Sequence, residues 1–193
     1  MELHKLAGLI IRSSRQGDYN RILLIATANG RSDAICYNCL RPKSANHFLN
    51  EPFIYAEFQL KKGKGKLLEV ASANLIKNFY NLRFSLEKVE VATEICQIIE
   101  KTIFPNESFP LPLVLNTLAI LEQANEEKTK LILPLFTLRY LKEIGMEQET
   151  ENELITHIQT SELSKLYNIK LSPETLSELF SYSKKCLESS LRA

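Results

Sequence analysis

The sequence predicts an α+β chain, in which a small five-stranded closed β-barrel is followed by an all-α helical bundle. Three observations carry this reading. Residues 1–80 hold short runs of period 2 separated by turn signals, and residues 81–193 hold runs of helical period with caps at their ends. Charge divides at the same place: 12 Lys/Arg against 6 Asp/Glu before residue 81, and 12 against 17 after it, or +6 and −5. The chain of 193 residues has room for one mid-sized domain or two small ones. Folding at this size buries roughly 70% of the surface the unfolded chain exposes, so a core forms without disulfides or a structural metal. With 45% hydrophobic and 24% charged residues, disordered, collagen-like and coiled-coil classes are excluded.

The elements follow in order. Residues 6–13, 21–27 and 33–40 read as strands, interrupted by Gly17 and by Asn29-Gly30, a hairpin signal because both residue types tolerate positive φ. A long link, residues 41–52, precedes a fourth strand at 53–60. There the period-2 rule sends Ile54, Ala56, Phe58 and Leu60 to the core and Phe53, Tyr55, Glu57 and Gln59 to the other face. Lys61-Lys62-Gly63-Lys64-Gly65 forms a tip, and residues 66–73 a fifth strand. Five short strands in so little chain suit a small closed barrel. Residues 85–104, 111–123 and 130–144 then repeat apolar side chains at helical spacing, with Leu86, Val89, Ile95, Ile98 and Ile99 on the first helix and Gly145 capping the third. Thr150-Glu151-Asn152-Glu153 reads as a capping box, and Ser172-Pro173 as an N-cap with proline at the first helical position. The expected organisation is a basic nucleic-acid-binding barrel at 1–80 and an acidic helical domain for protein interaction at 81–193.

No apolar run approaches the ~18 residues of a membrane span. The amino-terminal stretch turns polar too soon for a signal peptide, so a cytoplasmic protein is expected. Under those conditions the four cysteines are expected to be buried, reduced thiols.

Catalytic constellations are hard to find. The two aspartates, Asp18 and Asp33, sit beside turns or strand starts, and His4, His47 and His157 have no nucleophile or metal partner at a useful spacing. A non-enzymatic protein without cofactor, metal or small-molecule substrate is expected. Lys61–Lys66 is not a phosphate loop of the strand–helix type, because the G-x-x-x-x-G-K-[ST] pattern is absent. Its ammonium groups either keep a sheet edge soluble or bind phosphates, as the strand 4–5 connection of an OB barrel does. Arg41-Pro42-Lys43-Ser44 is a second basic loop, in which proline fixes the backbone between two cations. The candidate DNA-binding set is therefore Arg12, Arg15, Arg21, Arg31, Arg41, Lys43, Lys61, Lys62, Lys64 and Lys66, with Tyr55 as a base-stacking platform. Cys36-x-x-Cys39 with His47 is a weak zinc signal, since strand residues three apart point to opposite faces. In the helical half, Phe136, Leu138, Tyr140, Leu141 and Ile144 surround a helix carrying Arg139 and Lys142, a candidate groove for a peptide with an acidic, hydrophobic end.

These features in this order resemble the RecO family of bacterial recombination mediators. Gly8-Leu9-Ile10-Ile11-Arg12 resembles the family's first strand, and Gly17-Asp18-Tyr19-Asn20-Arg21 its G-E-x-x-R turn. Arg41-Pro42-Lys43-Ser44 matches its R-P-K-S segment, and Lys62-Gly63-Lys64-Gly65 its hairpin before strand five. Residues 70–75 resemble its passage into helices, and residues 138–145 its L-R-x-L-x-x-x-G segment. The resemblance implies an N-terminal OB fold and a C-terminal helical domain. It also implies binding of single- and double-stranded DNA, annealing of complementary strands, cooperation with RecR, and docking on the acidic C-terminal tail of single-stranded-DNA-binding protein, which helps load recombinase. Arg139 is the implied basic contact for that tail, with Lys142 beside it. Two departures stand out. Many members carry a four-cysteine zinc site in the helical domain, but residues 146–171 contain no cysteine, so no zinc is expected. Cys39 and Leu40 replace a glycine-and-basic pattern upstream of R-P-K-S, thinning the charge there. The competing reading is a protein adaptor whose basic half binds an acidic protein rather than DNA.

Overall fold

A computed structural model of the chain describes residues 3–63, 65–161, 163–167 and 169–192, without the side chains of residues 163 and 164. It divides into two compact units. The first runs to Tyr80 and takes in Ile103–Leu111, and the second comprises Asn81–Thr102 and the chain from Pro112 onward. Because Glu107 travels with the first unit, that unit holds 12 Lys/Arg against 7 Asp/Glu.

The first unit is a closed barrel of five strands in the order β1-β2-β3-β5-β4. The strands are β1 (Leu3–Gln16), β2 (Asn20–Thr27), β3 (Gly30–Cys36), β4 (Ile54–Lys62) and β5 (Leu68–Asn78). β1 closes the ring by pairing antiparallel with both β2 and β4, and a bulge near Ile11 lets the long strand bend between them. The only parallel contact among the described strands is short, Ala34↔Leu68 and Ile35↔Glu69 between β3 and β5. This is the connectivity of an OB barrel, as the sequence predicted. Ile10, Leu23, Ile25, Ala34, Ile54, Ala56, Phe58 and Leu60 fill the interior, with Leu49 from the short 3-10 turn His47–Asn50 packed among them. The alternation read from the sequence for residues 54–60 therefore holds, because period 2 sends every second side chain inward.

Several local expectations move. The third strand begins at Gly30 and ends at Cys36, because Asn38 adopts a left-handed conformation (φ 56°) that turns the chain. The fifth strand starts at Leu68 rather than 66 and runs on to Asn78 opposite Ile54, so residues 70–75 lie within a strand and not at a passage into helices. Phe53 is not an outward strand residue. It precedes β4 with φ 66°, is buried, donates its N–H to Ile10 O, and accepts from Phe79 N–H. The tip between β2 and β3 is Ala28-Asn29, with Gly30 alone at positive φ (87°), and Thr27 Oγ1 holds the turn by bonding both Asn29 N–H and Gly30 O. A Cβ at Gly30 would meet Phe104 O at 2.1 Å. Ile103–Leu111 is tied to this tip by Arg31 N–H to Phe104 O and Phe109 N–H to Ala28 O, each 3.0 Å.

The second unit contains α1 (Leu86–Thr102), α2 (Leu111–Gln123), α3 (Glu126–Glu143), α4 (Glu153–Thr160), α5 (Leu163–Leu166) and α6 (Pro173–Ser190), α2 entering it from Pro112. α3 starts a turn earlier than its apolar period suggests, because Asn125 caps it by accepting from Lys128 N–H and Glu126 and Glu127 suit the positive end of the helix dipole. α3 packs against α1, α4, α5 and α6, and is accordingly buried on most of its circumference. It ends in a Schellman motif, with Gly145 at φ 70°, Gly145 N–H on Lys142 O and Met146 N–H on Leu141 O. Leu86, expected on an apolar face, is exposed at the first turn of α1. The cap of α4 is Asn152, which accepts from Leu154 and Ile155 N–H, while Thr150 accepts from Asn152 N–H outside the helix. The Ser172 cap of α6 stands as read.

Candidate nucleic-acid interface

The barrel's topology sorts the basic residues into two groups. At the end where β1 finishes and β2 begins, Arg15 lies opposite Arg21, and Arg21 opposite Cys36. The segment after β3 returns to this end. Leu40 N–H donates to Tyr19 O at 3.0 Å, and Asn38 N–H to Asn20 Oδ1 at 2.9 Å. These bonds seat Arg41 over the Tyr19 ring, 4.9 Å from its centroid, with Lys43 exposed two residues on. Ser44 N–H closes the loop on Arg41 O at 2.9 Å. The second group belongs to the β4–β5 turn. Lys61 pairs in register with Leu3, at the far end of β1 from Arg15, so the groups are separated by up to about 40 Å along the strand.

The two groups differ in how far their charge is already satisfied. Lys61 Nζ sits 2.7 Å from Glu69 Oε1, directly across the ladder, with both side chains about three-quarters buried. Its charge is therefore largely spent within the hairpin. Lys62 and Lys66 are exposed, and Lys64 lies outside the described residues. Arg31 is forked onto Asp33, with Nε 3.2 and 2.9 Å from the two carboxylate oxygens. Arg12 is exposed on β1 opposite Leu24. Among the described residues Arg15, Arg41 and Lys43 have no carboxylate partner. Arg15 Nε donates to Gly17 O, and Arg21 Nε is buried without a hydrogen bond.

Tyr55 lies with neither group. It is half-buried on the barrel wall between Leu9 and Lys77, about 20 Å along β1 from Arg15. Tyr19 and Tyr37, absent from the candidate set, are 48% and 46% exposed; Tyr19 lies under Arg41, and Tyr37 directly follows the end of β3. Their signal was position: Tyr19 follows the Gly17-Asp18 turn, and Tyr37 precedes Arg41 by four residues.

The Cys36–Cys39 geometry also differs from expectation. Cys39 lies in the turn after the strand, so both thiols are buried side by side and Cys39 Sγ approaches Cys36 O at 3.4 Å. Burial first, then the neighbouring Cys39 thiol, pushes the Cys36 thiol far up. Burial also raises Cys39, against the lowering effect of Arg21. Protonated thiols of this kind are poor nucleophiles. His47 Nδ1 meets Cys39 O at 3.0 Å, and no cluster of three or more potential metal ligands occurs among the described residues.

In the helical unit, Phe136, Leu138, Tyr140 and Leu141 are fully buried, so they form core and not an open groove. Arg139 is engaged internally. Its Nη2 lies 3.1 Å from Glu143 Oε1, its Nη1 donates to Gln159 O, and it thereby joins α3 to α4. Lys142 is half-buried. An open groove of about 610 Å³ lies elsewhere, between α1, α3 and α6, with Ile98, Leu133, Phe180 and Leu187 in its wall and Lys101, Lys184 and Glu94 also lining it.

The chain is 30% identical over 148 residues to the DNA repair protein RecO of Acetivibrio thermocellus, covering 75% of this chain and 58% of that protein. The RecO proteins of Caldicellulosiruptor saccharolyticus (26% over 133 residues; 67% of this chain, 54% of the relative) and Alkaliphilus metalliredigens (31% over 99 residues; 51% and 40%) are similar as well. These similarities support the RecO family for this chain. The chain spans about half the length of the curated relatives it matches. No family model matches it. Among its described residues no helix is long and apolar enough to cross a membrane.

Proposed function

We propose that this chain acts, as a RecO family member, in DNA repair and recombination by binding single- and double-stranded DNA on its barrel and promoting annealing of complementary strands. The observation that carries the reading is the group of cations at the β1–β2 end of the barrel, where Arg15, Arg41 and Lys43 project without carboxylate partners among the described residues. Annealing needs no reacting group. A basic surface neutralises phosphates, lowers repulsion between two strands, and raises their local concentration. Arg12, Arg21 and the lysines of the β4–β5 turn extend the contact, while Arg31 and Lys61 contribute less because Asp33 and Glu69 already hold them.

The helical unit serves in this reading as the adaptor, cooperating with RecR and taking the acidic, hydrophobic-ended tail of single-stranded-DNA-binding protein. The α1–α3–α6 groove suits such a peptide, with apolar walls and two lysines. Arg139 and Lys142 lie on α3 away from that groove's lining, and Arg139 would first have to leave Glu143.

Fluorescence anisotropy with labelled oligo-dT across a salt series tests the DNA contact. With about six cations on a single strand, log affinity falls with log salt at a slope near −4. Binding that changing Lys61, Lys62, Lys64 and Lys66 to Ala weakens and flattens brings the hairpin into the site. Absence of binding at low salt overturns the DNA reading and favours an adaptor whose basic half takes an acidic protein.

A further inference from the structure

We propose that the Tyr19–Arg41–Tyr37 end of the barrel is a stacking site for unpaired bases, a role that rests on the DNA-binding reading and assigns its base contacts. The platform is built rather than incidental. Tyr19 and Tyr37 each leave nearly half their surface open, although neither is needed for the barrel core. The Tyr19 turn and the Tyr37 turn are locked together by the Leu40–Tyr19 and Asn38–Asn20 hydrogen bonds, with Asn38 held left-handed between them. Tyr37 directly follows Cys36, whose ladder partner is Arg21, and Tyr19 lies two residues before Arg21. Both rings therefore rise from the same rim.

The cations complete the site. The Arg41 guanidinium covers the Tyr19 ring at 4.9 Å, and a guanidinium so placed presents its edge donors to a phosphate while its plane extends the stacking surface. Arg15, the ladder partner of Arg21, and Lys43, two residues beyond Arg41, are exposed at the same end. The turn's own carboxylate, Asp18, forms no ion pair with them. Between Tyr37 and Arg41 the chain carries Asn38, Cys39 and Leu40, with Cys39 buried and Leu40 half-buried, so this stretch adds no charge. Ring faces supply what charge does not. Stacking is tolerant of base identity because every base has a π-face, and it is insensitive to salt, whereas phosphate contacts are not. An unpaired strand, whose bases are free to turn onto the rings, engages both rings and cations, whereas a duplex, its bases stacked inside, meets only the cations.

The experiment compares labelled oligo-dT with an abasic strand of equal length, each titrated across a salt series against wild type, Tyr19→Ala, Tyr37→Ala, Tyr19→Phe and Tyr37→Phe. We expect each alanine variant to bind oligo-dT roughly 5- to 150-fold more weakly with an unchanged salt slope. The abasic strand should bind all five proteins alike, and the phenylalanine variants should restore oligo-dT binding. Alanine variants that bind oligo-dT as wild type does, or that lose the abasic strand equally, overturn the stacking site while leaving the DNA reading intact. If wild type binds neither strand at low salt, the DNA reading falls and the stacking site with it.

Discussion

The ion pair between Lys61 and Glu69 leads to a quantitative expectation about the β4–β5 turn. The two residues are direct ladder partners, 2.7 Å apart and only about one-quarter exposed, so solvent screens them less than an open surface pair. Removing both, as Lys61→Ala with Glu69→Ala, leaves the net charge of the hairpin unchanged and should leave the salt slope for oligo-dT unchanged. The stability cost should be about 0.2–1 kcal/mol, the range of a cross-strand charge pair. Removing the exposed Lys62 and Lys66 instead should lower the slope by about 1.4 if each holds one phosphate, because a single-strand contact contributes roughly 0.7. Between 50 and 200 mM salt that difference amounts to about sevenfold in affinity, well within the reach of anisotropy. Glu69→Gln should act in the opposite sense, releasing Lys61 and steepening the slope by about 0.7. If deletion of the Lys61–Glu69 pair flattens the slope as much as deletion of Lys62 and Lys66, Glu69 does not hold Lys61 back from DNA, and the reasoning fails.

Two further outcomes follow from buried contacts. Burial raises the Tyr140 phenol to about 12 despite its 2.7 Å hydrogen bond with Thr102, so stability that is complete below the unfolded value near 10 should drain away as pH rises toward 12. Tyr140→Phe should start about 1 kcal/mol less stable at pH 9 and lack roughly 2 kcal/mol of the wild-type loss by pH 11.5, so the urea midpoints should converge or cross; a constant offset refutes the assignment. Gly30→Ala combines positive φ with a Cβ 2.1 Å from Phe104 O, and should destabilise the first unit by at least ~2 kcal/mol; a melting temperature within 2 °C of wild type contradicts this.

Local periodicity made most of the architecture legible. Strand alternation across Ile54, Ala56, Phe58 and Leu60 and the caps at Gly145 and Ser172 depend on neighbours a few residues away, which a linear sequence displays directly. Elements moved where a neighbour distant in sequence decides. Residues 74–78 lie beyond the expected fifth strand, yet β4 holds them in one, and Phe53 lies outside its expected strand because Ile10 and Phe79 claim its backbone groups.

The candidate site was legible as a list of cations and illegible as a place. Charge counted along the chain, with strand periodicity, established that the first half is basic, the second acidic, and that basic loops follow the predicted third strand and the fourth. Which of those charges remain available was decided by ladder register, which sets Glu69 across from Lys61, and by the position of Asp33 two residues along the strand from Arg31. Tertiary contacts also moved the aromatic partner. Tyr55 is carried to the barrel wall by its pairing with Leu9, whereas Tyr19 and Tyr37, 18 residues apart in sequence, are drawn to one rim by the hydrogen bonds that join their turns. The physical reason is general to such barrels: side-chain direction follows from period 2, which is local, but closure of the ring and docking of its connecting loops are long-range, and only they bring charge and ring together.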